Sequence, residues 1–60
     1  MTVRELYIHS NDVQTFILLE LGGIKPCFKG YLDYCPTELI DRVVYQFMAI
    51  DFNIIEVVLR

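Results

Sequence analysis

A chain of 60 residues and 7.1 kDa, 55% apolar, 22% charged and carrying a formal net charge of −3, has room for one domain. It is too hydrophobic and too weakly charged for a disordered segment. It is also too broken for a helical membrane span: no apolar run exceeds the four residues 16–19, where a bilayer needs about 20.

The opening Thr2-Val3-Arg4-Glu5 fits a capping box, with Val3, Leu6 and Tyr7 following at helical spacing. His9-Ser10-Asn11-Asp12 is a turn cluster that ends this short helix. Residues 13–21 read as a strand with Phe16 and Leu18 on one face and Ile17, Leu19 and Leu21 on the other. Gly22-Gly23 predicts a two-residue type I′ turn. The returning strand, about residues 24–34, contains Pro26, which belongs on an edge or at a bulge, and Gly30, a second soft point. Cys35-Pro36-Thr37-Glu38-Leu39-Ile40 reads as one helical turn, with Glu38 near its positive end. From Arg42 the pattern is β again: Val43, Tyr45, Phe47 and Ala49 alternate with Val44, Gln46, Met48 and Ile50. Asp51-Phe52-Asn53 turns the chain into a last strand, residues 54–59, whose faces are Ile55, Val57 and Leu59 against Ile54, Glu56 and Val58.

The expected fold is therefore α+β: two hairpins forming a four-stranded antiparallel sheet, with a short N-terminal helix and a helical turn between the hairpins. An antiparallel sheet with one wet face alternates apolar and polar residues, yet the first, third and last strands are apolar on both sides. Area scaling gives about 4,100 Å² folded against about 10,300 Å² extended for this mass. Burying about 3,500 Å² of apolar surface contributes on the order of 90 kcal/mol, and ordering the chain at about 1.5 kcal/mol per residue costs about the same. A lone copy comes out near zero. Self-association is the expected supplement, with Ile17, Leu19, Leu21, Ile55, Val57 and Leu59 as the expected interface and a twofold dimer as the commonest arrangement.

Disulfides and metals are not expected to fill that role. Cys27 and Cys35 stand eight residues apart, and no basic stretch followed by an apolar core opens the sequence. A reducing, cytoplasmic setting with free thiols is the expectation. Two cysteines and one distant histidine do not make a zinc site, so no metal or cofactor is expected.

Chemistry-bearing residues are sparse. His9 with Asp12 is the one histidine–carboxylate neighbourhood, readable as a base with an orienting acid or as a helix stop with an Asx turn. Asp12, Glu20, Asp33, Asp51 and Glu56 are scattered one per element, as a two-metal nuclease site or as ordinary solvated charges. Cys35 opens a helical turn, where a thiolate would be stabilised, without a basic neighbour in sequence. Tyr7, Tyr31, Tyr34 and Tyr45 could stack on bases, but five basic residues face eight acidic ones, and only Lys25 and Lys29 cluster. Those two lysines are the candidate nucleic-acid contacts. Walker, G-x-S-x-G, H-E-x-x-H and C-x-x-C motifs do not occur.

The M-T-V-R-E-L opening, the glycine hairpin, the G-Y-L-D-Y-C-P-T-E-L-I segment and the closing I-I-E-V-V-L strand together resemble a class of short proteins from phages, prophages and mobile elements of Gram-positive bacteria. Within it, the chain is similar in size and build to an anti-CRISPR group that resembles the oligomeric PC4-like single-strand binders. The resemblance implies a homo-oligomeric accessory protein that protects against Cas9, through DNA topology altered by metal-dependent nicking, with a CRISPR effector or DNA as partner. Asp12, ahead of the first strand, is the positional candidate for a catalytic carboxylate. The alternative reading is a non-enzymatic interaction module that recruits a partner through a sheet edge or apolar sheet face.

Overall fold

A computed structural model describes residues 1–10 and 13–60. Two short α-helices, α1 (Val3–Ile8) and α2 (Thr37–Ile40), and a 3₁₀ turn, Leu32–Tyr34, pack on one face of a four-stranded sheet. The strands are β1 (Thr15–Glu20), β2 (Pro26–Gly30), β3 (Val44–Asp51) and β4 (Ile54–Leu59). The α+β class and both hairpins agree with the sequence pattern.

The sheet itself corrects the antiparallel expectation. Its order is β2-β1-β4-β3, and the two central strands run parallel, with Phe16 beside Ile55, Leu18 beside Val57 and Glu20 beside Leu59. Hairpins fix only the pairs β1–β2 and β3–β4. The relative direction of the hairpins is set by residues 31–43, which carry the chain from one end of the sheet to the other before β3 begins. That is the crossover length a parallel pair requires. On its way the connection drops Leu32 and Ile40 into the core.

The core follows from this register. Phe16 and Leu18 of β1 and Val57 and Leu59 of β4 lie side by side, all but excluded from solvent, beneath Val3 and Leu6 of α1. The α1 cap is the one the sequence predicts: the Glu5 amide donates to the Thr2 hydroxyl (3.3 Å), and the Thr2 amide donates to the Glu5 carboxylate (3.0 Å). The accessible surface, 4198 Å², matches the roughly 4,100 Å² expected for a compact chain of this mass.

Two local expectations change. The glycine pair does not make a two-residue turn. Instead Gly23 N–H donates to the Glu20 carbonyl (2.8 Å), with Gly22 at φ +79° in the third position, the pattern of a type II turn, and residues 21–25 link the strands. Strict alternation along β3 also fails. Val44 pairs with Leu59 and Phe47 with Val57, so the irregularity between Val44 and Gln46 places both on the covered face. Pro26 does sit on an edge strand beside a register shift, as its missing donor requires.

Candidate interaction surface

The helices cover only one face. On the other, Ile17 and Leu19 of β1 and Ile54 and Val58 of β4 are half-buried by their neighbours in the sheet and lie under no helix. Glu56 interrupts this apolar face, with Ile17 on one side and Met48 on the other. The expected interface therefore divides. Ile17 and Leu19 are on the open face, and Leu21 is exposed just beyond β1. Val57 and Leu59 lie in the chain's own core, with Ile55 packed against it. The parallel register, which puts them beside Leu18 and Glu20, is the physical reason.

The two edges of the sheet are chemically unlike. β2 carries Pro26, Lys29 and the positive-φ Gly30, features that obstruct strand addition. β3 carries none of these. Over eight residues its only charge is the terminal Asp51, and Tyr45, Phe47, Met48 and Ile50 are 56%, 49%, 53% and 48% exposed. One end of its outer side is already taken: Val44 N–H donates to the Met1 carbonyl (2.7 Å) and Val3 N–H to the Arg42 carbonyl (3.0 Å), around the isolated bridge from Thr2 to Val43. Among the described residues no strand lies outside residues 45–51.

Charge is distributed unevenly along this strand. At its start stand Arg42, which holds Glu20 (2.8 Å) and donates to the Arg60 carbonyl (2.8 Å), Arg60, whose amide bonds Val43, and Arg4, which grips Asp41 with two nitrogens (2.8 and 3.2 Å). That grip holds the Asp41 carboxyl below the usual carboxylate range. At the far end Asp51 accepts the Phe52 amide (2.7 Å) and, among the described residues, makes no ion pair.

The residues singled out for chemistry are not brought together. Asp12 lies outside the described residues, and His9 is the exposed C-cap of α1. Asp33 accepts the Tyr7 hydroxyl, and Glu20 is engaged by Arg42. Among the described residues no three histidine, cysteine or carboxylate side chains gather as a metal site, and no pocket opens. Lys25 and Lys29 are exposed at the β2 edge, while Arg42 and Arg4 are each taken up by a carboxylate, Glu20 and Asp41. Both cysteines are free thiols; burial, with Cys27 and Glu38 nearby, pushes the Cys35 thiol up, away from a reactive thiolate. No helix among the described residues is long and apolar enough to cross a membrane.

No family model, curated protein or solved structure matches the chain. The surface must be read from its own chemistry. Sequence reasoning missed β3 as the distinctive element: V-Y-Q-F-M-A-I-D has no lysine, arginine, proline or glycine, but neither have T-F-I-L-L-E and I-I-E-V-V-L, and it is the strand order that puts β3 at an edge.

Proposed function

We propose that this chain is a non-enzymatic interaction protein that works by strand addition at β3. The observation that carries the reading is the unguarded edge at residues 45–51, apolar and half-exposed, beside a second edge obstructed by Pro26 and Lys29. An extended segment docking there satisfies its backbone through main-chain hydrogen bonds and is read by alternate side chains. Selection of displayed random peptides against the immobilised protein tests this. Binders with alternating apolar residues, lost when Met48→Lys charges the edge, are the expected result. Binders indifferent to that substitution place the contact elsewhere and refute it.

The biological role we attach to this activity follows the resemblance: a phage or mobile-element accessory protein antagonising a Cas9-type effector. A phage-survival assay with a targeting Cas9 decides it. Protection that persists in Asp12→Ala but fails in Met48→Lys supports a binding mechanism, and absence of protection at good expression removes the role. Supercoiled plasmid incubated with the protein and Mg²⁺ or Mn²⁺ stays supercoiled on this reading, and nicking would overturn its non-enzymatic part.

A further inference from the structure

Resting on strand addition at β3, we infer that the segment taken up is β3 of a second copy, paired antiparallel about a twofold axis near Met48. The open stretch is residues 45–51, bounded on one side by the bridge between Thr2 and Val43 and on the other by the turn into β4. Met48 is its midpoint, so self-pairing about that point uses the whole stretch and collides with neither boundary.

Charge favours this occupant. Around the start of β3, Arg4 is paired with Asp41 and Arg42 reaches inward to Glu20, which leaves Arg60 as the surplus cation among the described residues; the far end is acidic at Asp51. Antiparallel self-pairing brings Asp51 of each copy toward Tyr45 and the basic start of the other, twice over by symmetry. The strand's one charged residue never meets its own copy. A parallel partner would align acidic end with acidic end.

The surface also sets the strength. The half-exposed Tyr45, Phe47, Met48 and Ile50, at about 150–250 Å² per large aromatic residue, offer on the order of 400 Å² per copy. A standard interface needs about 800 Å² per partner. The dimer is accordingly weak and transient.

Sedimentation velocity of the full chain from 5 to 500 µM tests the pairing. A reversible monomer–dimer transition is expected. Met48→Lys, which sets two lysines face to face on the axis, is expected to raise the dissociation constant at least tenfold, and Asp51→Lys several-fold. Ile24→Lys, at a site 96% exposed in the β1–β2 connection, should leave it unchanged. A monomer throughout, or a dimer weakened by Ile24→Lys and not by Met48→Lys, overturns self-pairing. The peptide selection above then decides separately whether the edge docks strands at all.

Discussion

Val57 and Val58 are consecutive residues on opposite faces of β4, and that difference can be measured. Val57 is fully buried beside Leu18, while Val58 is half-buried on the open face beside Leu19. Val57→Ala removes two methyl-sized groups, about 1.6 kcal/mol at about 0.8 kcal/mol each. A residual cavity on the order of 50 Å³ adds about 1 kcal/mol at about 24 cal/mol per Å³. The total, about 2.5 kcal/mol, lowers the melting temperature of so small a domain by about 10–20 °C. Val58→Thr keeps the β-branched shape and turns a hydroxyl to solvent, costing less than about 1 kcal/mol. Thermal unfolding followed by circular dichroism, at one fixed dilute concentration so that association does not enter, compares the two. If Val58→Thr costs as much as Val57→Ala, the open face is buried and the assignment of faces is wrong.

The other predictions concern turns, caps, protons and thiols. Gly22→Ala forces a Cβ into φ +79° and is expected to cost about 1–2 kcal/mol, seen as a lower urea midpoint. Thr2→Ala removes the hydroxyl that caps α1 and should cost about 1 kcal/mol, most of it restored by Thr2→Ser. The Asp41 carboxyl is held down by Arg4 and that of Glu5 by the Thr2 amide. Their folded pKa values lie below the unfolded value of about 4, so their stabilisation is present above that pH and lost as pH falls through the folded values. A urea midpoint that declines below about pH 4, less steeply in Asp41→Asn, is the expected profile. Cys35 is half-buried with a raised pKa, whereas Cys27 is exposed; iodoacetamide at pH 8 should alkylate Cys27 first, and equal rates would contradict the burial.

What could be read from the sequence was local. The Thr2–Glu5 box, the breaks at Pro26 and Gly30 and the four strands depend on residues close in sequence, and each is where its chemistry requires it. What the pattern left open was which face of each strand the chain's own helices cover. T-F-I-L-L-E and I-I-E-V-V-L, the central parallel pair, are apolar on both sides, so either row suits the core. The structure puts Val57 and Leu59 there and leaves Ile17, Leu19 and Val58 on the face under no helix. The hairpins alone could not decide this, because the direction of one hairpin against the other is set by a non-local connection, residues 31–43. The bulge that brings Val44 and Phe47 to one face likewise has no mark in an alternating sequence.

The contrast between the two edges also limits the size of any assembly. A sheet with two open edges adds copies without end and gives fibres. Here β2, with a proline at its first position and Lys29 and Gly30 behind it, cannot offer a continuous ladder, and β3 can. Pairing through β3 alone is isologous: each copy uses on the other the one open edge among its described residues, and the twofold closes. The product of the pairing inferred above would be an eight-stranded sheet of order β2-β1-β4-β3-β3-β4-β1-β2 whose outermost strands are both guarded. If the guard on β2 sets this limit, Pro26→Val combined with Lys29→Thr should convert a dimer that stops at two into larger, concentration-dependent species in light scattering, while Met48→Lys on the same background should return it to a monomer. Continued closure at two in the unguarded variant would mean that something other than edge chemistry terminates the sheet.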